Sequence, residues 1–328
     1  MTDKTINWGI IGLGKIAHKF AEDLVKVPNA KLYAVASRSS IKSKEFAARF
    51  NAEIAYDNYE DLANDTNINA IYIATPHSFH LEHTLLCLNS GKAVLCEKPL
   101  ALNSAEVEKM ISIATSNQIL LMEALWTYFL PHYQKTLEII ESGVLGEITN
   151  LKADFGFKPV YDESSRVFNK ALGGGSLLDI GIYPIFAALS ILGMPEKISA
   201  KGKFFNNGAD SECYILFNYN NGITAELNST FLEETPTEAI IAGTKGVLKL
   251  HSRFHAPTTL SLSLTGKPKQ VFNFEVPYNG YFYEIVHFNS LLNSEKTESD
   301  VMSFEMSRNL MTLLDLVKNE IGLVYKRT

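Results

Sequence analysis

Three polar residues with acid–base chemistry lie in otherwise apolar surroundings. Lys98 follows the apolar run 93–96, which has the composition of a buried strand. In open α/β sheets ligands bind beyond the carboxyl ends of the strands, so this lysine is well placed to meet one. Asp179 and Tyr183 are four residues apart in an apolar helical stretch, where they share one face. Burying a carboxylate and a phenol is costly unless each has a partner, so this pair also indicates a functional site.

A glycine-rich turn indicates a dinucleotide cofactor. The run Gly12-Leu13-Gly14-Lys15-Ile16-Ala17 follows the predicted strand Ile6 to Leu13 and opens an amphipathic helix. Gly12 permits the tight turn, Gly14 lets the backbone approach a pyrophosphate, and Ala17 allows close packing of helix and strand. The N–H groups and partial positive charge of the helix N-terminus then hold the phosphates. We therefore predict cofactor binding at Gly12, Gly14, Lys15 and Ile16.

The end of the second predicted strand distinguishes the two nicotinamide cofactors. NAD-binding domains usually carry Asp or Glu there, about 20 residues after the glycines, to bind the ribose 2′-OH. This chain has Ser37-Arg38-Ser39 instead. The guanidinium of Arg38 can bind a 2′-phosphate with two hydrogen bonds, and Ser37 or Ser39 can add another. The prediction is a preference for NADP(H), with NAD(H) still possible.

The remaining pattern divides the chain into two predicted domains, 1–123 and 124–328. In the first, short apolar runs alternate with amphipathic helical stretches, which indicates βαβ units and a doubly wound parallel sheet. In the second, consecutive strand-like runs flank turns such as Asn220-Asn221-Gly222, a strong hairpin signal. The fold class is therefore α/β, with an N-terminal Rossmann domain and a C-terminal α+β domain whose open sheet is mostly antiparallel.

Together these motifs resemble those of the Gfo/Idh/MocA oxidoreductases, the family of glucose–fructose oxidoreductase and inositol dehydrogenase. The resemblance covers essentially the whole chain and is most specific at Glu97-Lys98-Pro99 and at the glycine-rich loop leading to Asp179-x-Gly181-x-Tyr183. Many members carry His where this chain has Tyr183, which argues against an inositol-type substrate. Tyr183, Ser37-Arg38-Ser39 and Glu123-Ala124-Leu125-Trp126 look more like the branch of dimeric dihydrodiol dehydrogenase and the NADP-linked aldose (xylose) dehydrogenases.

The resemblance implies hydride transfer between nicotinamide and a carbinol or carbonyl carbon of a sugar, polyol or dihydrodiol. Lys98 and Tyr183 would flank the substrate oxygen, and the sequence does not choose which of them carries the proton. An ammonium near Tyr183 would favour its phenolate and so lower its pKa. Asp179 would orient Lys98 or a substrate hydroxyl.

Further contacts follow from the same resemblance. Glu97 and Lys98 would help to hold the cofactor, and so would the segment Thr75, Pro76 and His77. Trp126 and Phe155 would form apolar walls of a pocket for a carbohydrate-like small molecule. The spacing of His77, His80 and His83 does not favour a metal site, and we predict none.

Composition excludes several other classes of partner. The net charge is −6 and no basic stripe is present, so we expect no nucleic-acid partner. The apolar stretch 177–193 is interrupted by Asp179 and Pro184, which favours a buried helix over a membrane span. Three widely spaced cysteines and an N-terminus unlike a secretory signal indicate a cytoplasmic location.

Two further expectations concern assembly and alternative functions. The predicted strand 213–219 is apolar on both faces, which suggests a homodimer formed through the C-terminal sheet. A catalytically inactive NAD(P)-binding sensor of the same fold is one alternative function, because one fold supports many functions. An S-adenosylmethionine-dependent enzyme is another, although Arg38 would have no 2′-phosphate to bind there.

Overall fold

The computed structural model describes residues 4–276 and 278–325, and the chain divides into two compact units. The first unit comprises Met1–Trp126 and Val276–Arg308, and the second comprises Thr127–Glu275 and Asn309–Thr328. The domains expected from the sequence were 1–123 and 124–328. The two units differ from them mainly because the segment Val276–Arg308 belongs to the first unit.

A buried carboxylate explains why that segment belongs to the first unit. Asp23 is 1% exposed and accepts hydrogen bonds from the backbone N–H groups of Asn279 (3.0 Å), Gly280 (2.9 Å) and Phe282 (3.1 Å). These N–H groups lie at the start of a helix, where no carbonyl of the helix can accept them, so the carboxylate caps it. Sequence periodicity indicates a helix here but not which sheet the helix covers.

The elements of secondary structure are as follows. The strands are β1 Ile6–Ile11, β2 Ala30–Ala36, β3 Ile54–Tyr56, β4 Ala70–Ile73, β5 Ala93–Glu97, β6 Leu121–Ala124, β7 Ile148–Gly156, β8 Lys197–Phe204, β9 Asp210–Asn218, β10 Thr224–Thr230, β11 Ala239–Gly243, β12 Gly246–Leu250, β13 Leu260–Leu264 and β14 Gln270–Phe272. The helices are α1 Lys15–Leu24, α2 Ser40–Phe50, α3 Tyr59–Asn64, α4 His80–Asn89, α5 Ser104–Asn117, α6 Pro131–Glu141, α7 Ile182–Leu192, α8 Tyr281–Asn293 and α9 Phe304–Ile321.

The first unit is built on a parallel six-stranded sheet in the order β3-β2-β1-β4-β5-β6. The chain adds β2 and β3 on one side of β1 and then β4, β5 and β6 on the other side. This strand order confirms the predicted doubly wound Rossmann sheet. Its central strands are buried on both faces, as the fully buried Ile10, Val35 and Ile71 show. The short strand β3 and the helix α3 had no clear signal in the sequence.

The second unit contains an eight-stranded sheet in the order β14-β13-β12-β11-β7-β10-β9-β8. Neighbouring strands are antiparallel except β7 and β10, which run parallel. The predicted mostly antiparallel sheet is therefore confirmed, as is the hairpin that joins β9 to β10 at Asn220–Gly222. Helix α7 packs on β7 and β10 and fills the core of this unit.

One helical stretch, Lys170–Leu192, is long and apolar enough to cross a membrane by length and composition alone. Most of its apolar window is buried inside the structure, and Leu178, Ile185 and Phe186 are fully buried. A core helix of a globular unit has these properties, which agrees with the interpretation made from Asp179 and Pro184.

Candidate active site

The turn after β1 has the shape that a dinucleotide requires. Gly12 has a φ of +90°, and a Cβ atom there would lie 2.7 Å from the backbone nitrogen of Thr75, so a side chain is excluded. At Gly14 an added Cβ atom would meet no heavy atom of the described residues within 4 Å. Gly14 directly precedes α1, whose first N–H groups have no side-chain cap among those residues. The turn therefore fits a pyrophosphate, with Lys15 and Ile16 opening the helix that would hold it.

The end of β2 is followed by Ser37, Arg38 and Ser39. The two serines bind backbone groups of the turn, whereas the arginine is exposed. Ser37 Oγ accepts the N–H of Ser39 (3.2 Å), and Ser39 Oγ caps α2 by accepting the N–H of Lys42 (3.4 Å). Both serines therefore shape the turn. Arg38 is exposed, and its guanidinium carbon lies 5.9 Å from the centre of the Phe79 ring. Of these three residues, Arg38 therefore offers the positive charge that a 2′-phosphate can reach from solvent.

A buried histidine joins the segments that follow β4 and β5. The two ring nitrogens of His80 lie 2.8 Å from the carbonyl oxygens of Thr75 and Pro99. His77 is also buried and begins a single 3-10 turn before α4. In the part of the chain that the structure describes, no three His, Cys, Asp or Glu side chains are grouped to hold a metal ion. His80 therefore fixes two loops at the carboxyl edge of the sheet.

Two buried carboxylates hold the turn that carries Lys98. Glu97 Oε1 accepts a hydrogen bond from the hydroxyl of Tyr72, and Glu97 Oε2 accepts the backbone N–H of Lys98 (3.2 Å). Glu123, at the end of β6, accepts the backbone N–H of Leu100 (2.8 Å). The backbone on either side of Pro99 is thus fixed by side chains of neighbouring strands. The half-buried side chain of Lys98 then leaves a defined turn at the carboxyl edge of the sheet.

Glu123 has an unusual protonation equilibrium. It is 2% exposed, and its second carboxylate oxygen accepts the hydroxyl of Ser307 (2.7 Å). Burial raises the pKa of Glu123 to about 7, although the hydrogen bonds from Ser307 and Leu100 and the charge of Lys98 oppose this. This carboxyl therefore changes its charge close to neutral pH, next to the turn of Lys98.

We expect Glu123 to make the stability of the fold depend on pH. Its folded-state pKa of about 7 lies above the ordinary 4.5, so its contribution to stability is complete below pH 4.5 and is lost as the pH rises towards 7. The loss amounts to roughly 3 kcal/mol at most. Glu123→Gln should remove this part of the slope of unfolding free energy against pH, whereas the exposed Glu108→Gln should not. Chemical denaturation at several pH values tests this, and parallel slopes for wild type and Glu123→Gln would contradict it.

Trp126 lies in the first unit, against an aromatic residue of α8. Its ring is stacked on that of Tyr281 at 4.7 Å between centroids and 5° between planes, and Trp126 is 9% exposed. Phe155, the other predicted wall residue, belongs to the second unit. The structure therefore assigns the two predicted walls to different compact units.

Asp179 and Tyr183 are both buried in the second unit, as the sequence requires of a costly polar pair. Asp179 lies in a π-helical turn, Leu177–Gly181, and Tyr183 in the α-helix that follows. The predicted helix is thus α-helical only from Ile182, because Asp179 lies in the wider π turn that precedes it. The carboxylate forms an ion pair with Arg166, whose Nη1 lies 2.9 Å from Asp179 Oδ1.

The ring of Tyr183 packs in a small aromatic cluster. Its centroid lies 5.8 Å from that of Phe155 and 4.9 Å from that of His255, and the rings of Phe155 and His255 are stacked at 4.2 Å. Two buried side chains fix the loop of His255: Thr127 donates to its carbonyl (2.7 Å), and His132 donates to that of Phe254 (2.9 Å). The rings of Phe155 and Tyr183 are thus neighbours in the second unit.

The buried carboxylate of Asp210 shapes the glycine-rich loop before Asp179. Gly175 has a φ of +132°, and a Cβ atom there would lie 2.0 Å from Asp210 Oδ1. Asp210 is fully buried and accepts the hydroxyl of Ser176 (2.8 Å) and the N–H of Leu177 (2.6 Å). Only glycine at position 175 leaves room for the Asp210 carboxylate, which binds the start of the π turn.

Sequence reasoning did not identify Arg166 or His255 as site residues. Arg166 and Lys170 are the two cations in the ten residues before the glycine run, which is a usable signal for a partner of Asp179. For His255 the sequence holds no such signal, because nothing local connects it to Tyr183. That connection comes from the sheet, which places the loop after β12 beside α7.

Comparison with known proteins gives the family. Residues 6–125 match the oxidoreductase family with an NAD-binding Rossmann fold, and residues 133–249 match the Gfo/Idh/MocA C-terminal domain. The trans-1,2-dihydrobenzene-1,2-diol dehydrogenase of Mus musculus is 36% identical over 98% of this chain and 98% of its own length. The enzyme of the same name from Xenopus tropicalis is 34% identical, over 97% and 98% respectively.

Solved structures agree with this result. A 3-ketoreductase from Actinomadura kijaniata, in complex with NADP and TDP-benzene, has a TM-score of 0.88 and 26% identity over 97% of this chain and 98% of that chain. An aldose–aldose oxidoreductase from Caulobacter crescentus, complexed with glycerol, shares the fold, with a TM-score of 0.89 at 21% identity over 97% and 98%. Matches to both halves, and relatives above 30% identity along nearly the whole chain, confirm the resemblance: this protein belongs to the Gfo/Idh/MocA oxidoreductase family.

Proposed function

We propose that this chain is an NADP(H)-dependent oxidoreductase that interconverts a carbinol and a carbonyl carbon of a sugar, polyol or dihydrodiol. The observation that carries the proposal is that the open turn at Gly14 and the turn of Lys98 lie at the carboxyl edge of one parallel sheet. Ligands bind at that edge in doubly wound folds. The dihydrodiol dehydrogenases, and the ketoreductase bound to NADP, support the substrate class and the cofactor.

The residues of this chain would supply the acid–base part of the reaction. A bound nicotinamide would supply the hydride chemistry that interconverts carbinol and carbonyl carbons. We propose that the Lys98 ammonium polarises the substrate oxygen and that the Tyr183 hydroxyl exchanges a proton with it; the reverse assignment of these two roles is the alternative. Asp179, oriented by Arg166, would hold Lys98 or a neighbouring substrate hydroxyl. Trp126 and Phe155 would bind the apolar face of the substrate.

The cofactor contacts in this proposal follow the carboxyl edge of the sheet. Gly12, Gly14, Lys15 and Ile16 would hold the pyrophosphate, and Arg38 with its flanking serines would hold the 2′-phosphate. The other contacts would come from the loops that His80 and Glu97 fix, at Thr75, Pro76, His77, Glu97 and Lys98.

The proposal is tested by measuring turnover of the purified protein with both cofactors across aldoses, polyols and dihydrodiols. We expect reduced-nicotinamide absorbance to change with at least one of these classes, and faster with NADP(H) than with NAD(H). Tight NADPH binding with no turnover on the whole panel would instead favour the inactive sensor.

We also propose that the protein is a cytoplasmic homodimer. Its three cysteines are free, buried thiols, which suits a reducing compartment. On β9, Cys213, Ile215 and Phe217 are buried, whereas Tyr214 on the other face is 47% exposed and available to a second copy. Sedimentation at micromolar concentration tests this, and a monomer would contradict it.

A further inference from the structure

A small open pocket adjoins Arg38, and half of its residues have no role in the function proposed above. It is lined by Arg38, Tyr59, Thr75, Pro76, Phe79 and His83. All six belong to the first unit. Arg38, Thr75 and Pro76 are proposed cofactor contacts, so an NADP molecule held by them would also meet the three aromatic side chains.

The aromatic side chains of this pocket support one another. The His83 ring lies edge-on to Tyr59 at 4.7 Å and is stacked on Phe79 at 5.6 Å, and its Nδ1 is hydrogen-bonded to Thr75 Oγ1 (3.0 Å). Burial, with smaller effects from the charges of His80 and Arg38, lowers the pKa of His83 to about 4. At neutral pH His83 is therefore uncharged, which leaves Arg38 as the cation among the lining residues.

Tyr59 is half-buried and lines the same pocket as the exposed Arg38. Its phenol has an O–H that can donate a hydrogen bond to an anion held in this pocket. Burial raises the pKa of Tyr59, and the opposing effect of Arg38 does not reverse this, so the hydroxyl keeps its proton at neutral pH.

We propose that Tyr59 is a specificity-determining residue for NADP(H), whose hydroxyl donates a hydrogen bond to the 2′-phosphate beside the Arg38 guanidinium. A phosphate oxygen is an anionic acceptor, and a hydrogen bond to a charged group is about twice as strong as one to the neutral 2′-OH of NAD(H). Tyr59 thus discriminates between the two cofactors. This inference rests on the cofactor preference in the proposed function.

The test is a binding titration with Tyr59→Phe, which removes the hydroxyl and keeps the ring contact with His83. Tyr56→Phe is the matched control, because the Tyr56 hydroxyl on the adjacent β3 bonds to Asp65 instead (2.9 Å). The probes are NADPH, NADH, adenosine 2′,5′-bisphosphate and 5′-AMP, followed by calorimetry or nucleotide fluorescence. We expect Tyr59→Phe to weaken NADPH and the bisphosphate about tenfold or more. NADH and 5′-AMP should lose much less affinity, and their binding shows that the variant is folded.

Arg38→Ala separates failure of this inference from failure of the proposed cofactor preference. If wild type prefers NADPH and Arg38→Ala abolishes that preference, the 2′-phosphate site is established. Tyr59→Phe with unchanged NADPH affinity, or with equal losses for NADPH and NADH, then overturns the role of Tyr59 alone. If wild type binds both cofactors equally and Arg38→Ala changes neither, the NADP(H) preference and the role of Tyr59 both fail.

Discussion

Tyr183→Phe is expected to lower turnover roughly 100-fold or more, which is the usual scale for loss of a general acid or base. The substitution removes the hydroxyl but keeps the ring and its contacts with Phe155 and His255. Packing in the second unit therefore changes little. Cofactor affinity should also change far less than turnover, because the proposed cofactor contacts all lie in the first unit. Steady-state kcat and NADPH titration of the same preparation measure the two effects.

A second tyrosine of the same unit provides the control. The Tyr133 hydroxyl is hydrogen-bonded to Ser190 (2.6 Å), and Tyr133 is fully buried. Tyr133→Phe thus costs a buried hydrogen bond without removing a proposed catalytic group, and it should keep most of the activity. Near-normal turnover of Tyr183→Phe, or an equal loss in both variants, would refute the role of Tyr183.

Lys98→Ala should cause a loss of similar size, roughly 100-fold or more in turnover. The turn itself should survive, since Glu97 bonds to the backbone N–H of residue 98 and Glu123 to that of Leu100, and neither bond needs the lysine side chain. Because the missing group is a small amine, added primary amines such as ethylamine should restore part of the activity. The exposed Lys109→Ala is the control and should match wild type. Unchanged turnover of Lys98→Ala would exclude an acid–base or polarising role.

The two variants together assign the proton carrier. Whichever side chain carries the proton contributes an ionisation to the pH profile of kcat, and its removal should abolish that ionisation. If the ionisation is lost in Tyr183→Phe and kept in Lys98→Ala, the proton belongs to Tyr183. The opposite result assigns it to Lys98.

Features that short stretches of chain determine could be predicted from the sequence. The turn at Gly12 is one example, because its positive φ follows from a strand that leads directly into a helix. The hairpin at Asn220–Gly222 is another, since turn chemistry and flanking strands are adjacent in the chain. Asp179 and Tyr183 stood out because polar groups are rare in so apolar a helix.

Features that depend on distant segments could not be predicted in this way. The pairing of Asp179 with Arg166 crosses a loop without regular periodicity, and the contact of His255 with Tyr183 joins segments 72 residues apart in number (255 against 183). Tyr59 lies in a short helix whose pattern gave no signal, and its proposed role emerges only from the pocket that it lines together with Arg38. In each case, tertiary packing brings together residues that no local pattern connects.

The capping of α8 by Asp23 has a consequence for biosynthesis and for protein engineering. Asp23 and Gly280 are 257 positions apart, so a ribosome must add 257 residues after Asp23 before this carboxylate can meet its donors. The nucleotide-binding half is therefore not encoded by one contiguous stretch of DNA. A clone that stops after codon 126 would express a Rossmann sheet without the helix that covers Trp8 and Phe20.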